Sequence, residues 1–261
     1  MNDTAIHPLG VLAGYAMLII PLGLILWYRL GIMGRTITAI VRMTVQLVFV
    51  GLYLQVVFRL NSVWLNLLWM LVMIVVADGS ILKGCGLRTR ALWRELFIAL
   101  LAGTVVPLGV FVAVILMRPF VFDARIVIPV AGMILGNCLR ANIVGIGSFY
   151  NSIKQGEKPF QCALAQGASL SEAVKPFMAD ALRQAFAPTI AMMATIGLVS
   201  LPGMMTGTML AGANPLDAIQ YQIAIVIAIF TGTSITVVAG IWLSARRAFN
   251  AYGMLDAGIF V

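Results

Sequence analysis

Histidine occurs once in this sequence, acidic side chains nine times and cysteine three times. These scarcities exclude most resident metal and catalytic chemistry. A structural zinc site needs four closely spaced Cys or His ligands, whereas Cys85, Cys138 and Cys162 form no CxxC pair and His7 stands alone near the N-terminus. No GxxxxGK[ST] loop is present to cradle phosphates, no HExxH to hold a catalytic zinc, no GxSxG to present a nucleophile, and no acidic pair lies within an apolar stretch. The chain is therefore expected not to be an enzyme and to carry no cofactor of its own. Charge of either sign is sparse too, at 10% of 261 residues, against about 25% in soluble domains. Pro/Ser-rich linkers and low-complexity tracts are missing, so residues 1–261 are expected to form a single membrane domain.

What fills the chain instead is apolar: 62% hydrophobic residues and a mean hydropathy of +1.04. A membrane helix needs about 20 mostly apolar residues, and stretches at roughly 8–28, 36–58, 63–82, 96–117, 126–148, 188–211 and 219–244 meet that length. The expected fold is all-α, a polytopic protein of about seven transmembrane helices, because a β-barrel would alternate apolar and polar residues. The first stretch has no basic segment before it and no clear cleavage site after it, so it reads as a retained helix.

Basic residues accumulate on cytoplasmic loops. With seven spans and the N-terminus outside, the inner side receives Arg29, Arg35, Lys83, Arg88, Arg90, Arg94, Lys154, Lys158, Lys175, Arg183, Arg246 and Arg247, and the outer side only Arg59, Arg118 and Arg125. The C-terminus is then cytoplasmic. The net charge of +8 belongs to this asymmetry and to anionic lipid, not to nucleic acid. The three cysteines fall on the reducing side or within spans and read as packing thiols without a disulfide.

One polar segment, 151–187, separates the fifth and sixth stretches. Phe160, Ala163 and Leu164 recur at helical spacing, and Gly167 ends that turn as a C-cap glycine does. Ser169 followed by Glu172 is the capping-box pattern that starts a second helix through Lys175, Phe177, Ala181 and Phe186. Helix, turn and helix therefore lead to Pro188.

That arrangement resembles the cytoplasmic coupling loop of ATP-binding-cassette (ABC) transporter permeases. The matching residues are Gln161, Cys162 and Ala163, then Gly167, Ala168 and Ser169, and finally Pro188; Gln161 stands where an acidic residue is usual. Ile128–Asn137 (IPVAGMILGN) and Gly197–Gly212 (GLVSLPGMMTGTMLAG), with Asn214-Pro215 and Ala218 to Gln222, closely resemble the FetB-type iron-export permease family, which includes plant aluminium-tolerance half-transporters. The resemblance implies two copies of this chain as a homodimer in a bacterial inner membrane. It also implies a separate ATPase subunit that binds ATP and Mg, and iron or a related metal as cargo. ATPase coupling then falls to Gln161, Ala163, Gly167, Ala168, Ser169 and Glu172.

Within the spans, Gly132/Gly136 and Gly203/Gly207 have the spacing that lets membrane helices approach closely, either as packing inside the chain or as a dimer seam. Pro202-Gly203 frees backbone groups that lipid cannot satisfy, which marks a kink, a hinge or a pathway wall. Met204 and Met205 beside it, Met133 and Asn137 on the fifth stretch and Gln46 on the second are the further candidates for the path. Methionine is frequent, with 15 copies; thioethers suit copper(I) better than iron, and flexible packing is the plainer reading. Arg42 and Asp78 are intramembrane charges at similar expected depth, able to pair with each other, while Arg42 is equally able to reach the inner headgroups. Arg140 as a bare cation repels a metal ion and suits a helix contact or a cytosolic vestibule. The rival to an ABC permease is a secondary transporter or channel for a small solute, which needs no ATPase but does need buried acidic residues. No ligand cluster identifies the metal.

Overall fold

The computed structural model describes residues 8–115, 123–250 and 253–259, so that Asp3, His7 and Arg118 lie outside it. The described chain is almost wholly helical, and its only strand-like pairings are two isolated bridges. Among the described residues six helical stretches are long and apolar enough to cross a membrane.

Two compact units emerge, Met1–Leu60 and Asn61–Val261. In the first, α1 (Pro8–Ala16) and α2 (Ile19–Trp27) share the first expected span, with a turn between them, and α3 is Met33–Leu60. Tyr15 and Thr44 join α1 to α3 through their hydroxyls. Most side chains here are apolar and exposed, Trp27 and Leu47 among them, which suits a lipid environment and not water.

The second unit contains α4 (Val63–Gly84), α5 (Thr89–Val110), α6 (Ala124–Gln155), α7 (Glu157–Ala165), α8 (Leu170–Thr195), α9 (Gly203–Leu210) and α10 (Pro215–Ala248). Its core is built around α10, which packs on α5, α6, α8 and α9. The reason is written every fourth residue: Ala224, Ala228, Gly232, Thr236, Gly240, Ser244 and Ala248 are all small and all buried. Such a row is one ridge of the helix surface, and small side chains along it let neighbouring backbones come close. The closest approach is to α5. A Cβ on Gly232 would collide with the Gly103 carbonyl oxygen, and one on Gly103 would stand 2.7 Å from Thr236 Cβ. Pro107, one turn after Gly103 in α5, has no N–H to give that carbonyl. The Cys138 thiol points at it instead, 4.0 Å away.

The sixth expected span is broken, and more widely than the first. Residues 188–211 do not form one helix: α8 stops at Thr195, α9 begins at Gly203, and the chain between them turns. Glu172, Lys175, Asp180 and Arg183 occupy the first half of α8, so only its end is apolar, and Gly197 adopts a left-handed φ of 88°. Pro202 is the N-cap of α9, which places the break one turn earlier than Pro202-Gly203 suggested.

Candidate coupling surface and translocation groove

The polar segment folds as a helix, a turn and a second helix, as its punctuation predicts. α7 is amphipathic and buries Phe160, which meets Phe177 of α8 edge to face at 6.0 Å and Phe249 at 5.7 Å. Its end is a Schellman cap: Ala168 N–H donates to Ala163 O at 3.1 Å, Gly167 N–H to Leu164 O at 3.0 Å, and Gly167 takes φ 94°. The next helix begins with a complete capping box, in which Glu172 N–H donates to Ser169 Oγ at 3.3 Å and Ser169 N–H to Glu172 Oε2 at 2.8 Å. The Ser169 hydroxyl also donates to that carboxylate, at 2.6 Å. These bonds hold the exposed Glu172 carboxyl below its ordinary value of 4.5. Gln161 donates to Glu157 at 2.8 Å. Gly167, Ser169 and Glu172 are exposed, and Gln161, Ala163 and Ala168 half-buried. The turn is thus rigid, with its outer surface free.

From this turn α8 runs directly to two grooves. The first, about 500 Å³, lies between α6 and α8 and is lined by Asn137, Arg140, Ala185, Pro188, Thr189 and Met192 among others. The second, about 400 Å³, is lined by Met193, Pro202, Met205, Gln222 and apolar neighbours from α8, α9 and α10. Adjacent residues of α8, Met192 and Met193, therefore face different grooves. The structure brings Asn137 to the first groove and Pro202 and Met205 to the second. Met133 and Met204 pack against the core instead. Asn137 spends one donor on Met133 O, at 2.8 Å. A Cβ on Gly203 or Gly207 meets nothing within 4 Å, nor does one on Gly136. None of these three makes the close approach inside the chain that its spacing allows; Gly103, Gly145, Gly232 and Gly240 do so.

Arg42 and Gln46 are exposed on α3 in the first unit, and Asp78 is buried on α4 in the second. Asp78 has company that the sequence concealed. Glu95 of α5 is also largely buried, and one carboxylate oxygen of each, Asp78 Oδ1 and Glu95 Oε2, has no hydrogen-bond partner. The other Glu95 oxygen accepts from Arg247 of α10 at 3.2 Å. Nearby on α10, Ser244 accepts from the Tyr150 hydroxyl at 2.8 Å.

Two features escaped sequence reading. The segment after α10 folds back: Phe249 pairs with Leu255, Arg88 N–H donates to Ile259 O at 2.8 Å, and Gly253 lies beside Leu164 of α7. Its only sequence signal is Phe249 after the basic end of α10. Cys162 is the other, since it is exposed, not packed, while Cys138 is buried and Cys85 half-buried. Among the described residues no group of three or more His, Cys, Asp or Glu is placed to hold a metal.

The model of the family described as Uncharacterised protein family (UPF0014) matches residues 8–249. The UPF0014 membrane protein slr1647 of Synechocystis sp. is 32% identical over 234 residues, covering 90% of each chain. The Probable iron export permease protein FetB of Escherichia coli is 33% identical over 214 residues, 80% of each chain. The Protein ALUMINUM SENSITIVE 3 of Arabidopsis thaliana is 32% identical over 251 residues, 94% of this chain and 89% of that one. No solved structure matches. These matches bear out the resemblance carried by Ile128–Asn137 and Gly197–Gly212, and the chain belongs to the UPF0014 family of membrane proteins.

Proposed function

We propose that this chain is the permease subunit of an ABC exporter for iron or a related metal species, paired as a homodimer and driven by a separate ATPase subunit that binds ATP and Mg. The likeness to the FetB iron export permease supports the cargo class. The observation that carries the coupling role is the α7–α8 turn, capped on both sides and exposed, from which α8 leads straight to both grooves. α8 is one helix from Leu170 to Thr195, with Pro176 and Pro188 inside it, so a push on the turn is carried along it to the grooves, up to the break after Thr195. Nucleotide binding in the partner then rocks the helices between two openings. The N-terminus is outside, the turn cytoplasmic and the membrane the bacterial inner one in this reading.

Gly167→Trp tests it. The position is left-handed and exposed, so a bulky side chain strains the cap and blocks the docking face. Membrane insertion is expected to persist, while co-purification of the ATPase falls by about tenfold or more, as for loss of an interface centre. Normal association and flux would remove the assignment.

The buried carboxylates Asp78 and Glu95 favour a second reading, a proton-coupled secondary transporter. It predicts flux in vesicles without any ATPase, abolished when the proton gradient is collapsed.

A further inference from the structure

Among the described residues Arg140 is the only charged side chain lining either groove. It sits within a spanning helix, where a charge needs a wet cavity or a partner. The cavity is there: about 500 Å³, within the ordinary range for small-molecule sites. An acidic partner is not, since the ion pairs among the described residues are Arg183–Asp180 and Arg247–Glu95. Arg140 makes only a long bond from Nε to its own helix, to Gly136 O at 3.3 Å, which leaves the rest of its guanidinium fork to a ligand. Around it Asn137 and the buried Thr189 add neutral polar groups. A hard metal cation prefers several oxygen ligands, carboxylates above all. Neither groove supplies one, and Arg140 repels the bare ion.

We infer that the cargo occupies the α6–α8 groove as an anionic complex, a metal already wrapped by a multidentate carboxylate chelator, and that Arg140 anchors its outer carboxylate by a forked, charge-assisted bond. This rests on the proposed function for the metal in the cargo and for the direction of transport; the anion preference rests on Arg140 and its groove. The metal's coordination stays with the chelator; the protein reads charge and shape.

The test uses the full chain in nanodiscs of zwitterionic lipid, without the ATPase, with ferric citrate, metal-free citrate and ferrous ion under reducing conditions as separate probes. Ferric citrate is expected to bind, metal-free citrate to compete with it, and ferrous ion alone to bind weakly. Arg140→Gln is expected to lower ferric citrate affinity by about tenfold or more, and Arg140→Lys to lose less. The proposal is overturned if ferrous ion binds the wild type as tightly as the complex, or if Arg140→Gln leaves complex binding unchanged. It is equally overturned if the substitution changes only the retention of anionic lipid in discs that contain it. Should Arg140→Gln fail to fold, citrate competition and Arg140→Lys decide the matter. Loss of ATPase co-purification is read separately, so failure of the exporter reading leaves these binding results standing.

Discussion

A glycine in a membrane helix matters by what its missing side chain would touch. Gly232 faces the Gly103 carbonyl, whose own helical donor Pro107 has removed, and neither backbone has room to retreat while Thr236 sits beside them. Gly232→Ala is expected to destabilise the detergent-solubilised protein by about 1–3 kcal/mol, as overpacking does, and Gly136→Ala, with open space around it, by less than about 0.5 kcal/mol. Thermal unfolding of the two variants side by side checks this, and equal effects would discard the α5–α10 contact. A four-residue glycine spacing does not say which face it lies on, so Gly132/Gly136 and Gly203/Gly207 stood out in the sequence while the close approach inside the chain falls at Gly103 and Gly232. The informative row was longer, seven small residues of α10 from Ala224 to Ala248, and only burial distinguishes it from chance in a chain with 25 glycines. Glu172 offers a second residue-scale test. Its carboxyl is held below 4.5 chiefly by Ser169. A depressed acid stabilises the folded form above its unfolded value and loses that contribution as pH falls through the folded one. The start of α8 is therefore expected to keep its amide protection at neutral pH and to lose it as pH drops below about 4.5. In Ser169→Ala the Glu172 titration, followed by carboxyl NMR, moves up toward the ordinary value. No movement would mean that the capping box does not form in solution.

Elements were legible where their ends were punctuated. Gly167, Ser169 and Glu172 announced the α7–α8 turn, and the structure has both caps at those residues. The broken stretch was less legible, because Pro202-Gly203 is the visible breaker and the turn lies earlier, at Gly197, whose φ of 88° glycine adopts freely. A side chain there opposes the left-handed backbone and favours a straighter helix. Gly197→Ala is accordingly expected to lower substrate flux at matched expression, whereas Gly203→Ala, at an unstrained position with open space around it, leaves flux near the wild-type level. Flux with the ATPase present and its nucleotide turnover recorded in parallel separates the two; equal flux in both variants would reduce the break to a packing detail. The returning C-terminal segment was invisible in the sequence, since no periodicity marks a strap held by the Phe249–Leu255 bridge and the Arg88–Ile259 backbone bond. Its contact with Phe160 and Leu164 makes it a brace for α7. Phe249→Ala removes the aromatic centre of that brace, and the expected result is faster amide exchange in α7 with α10 unchanged.

At the scale of the whole molecule, hydropathy settled the class and left orientation to charge. Large apolar side chains face outward on nearly every spanning helix, Trp64, Val76, Trp93 and Ile223 among them. Where water is the solvent such a surface aggregates, and in lipid it is the solvent-facing layer. The basic residues on either side of the α7–α8 turn, Lys154, Lys158 and Lys175, are the reason to expect that turn on the cytoplasmic side. The protein contains its own reporter for this. Of its three cysteines only Cys162 is exposed, and it sits on α7 beside Gln161. A membrane-impermeant maleimide is expected to leave the wild-type protein unlabelled in intact cells and to label it, at that one site, in inside-out vesicles. Cys162→Ser supplies the blank. If α7 is where an ATPase docks, adding that subunit slows the vesicle labelling, and Gly167→Trp restores it. Labelling from outside intact cells would reverse the orientation and take the coupling role with it. Labelling from inside with no protection by the ATPase would keep the orientation and move the docking face elsewhere.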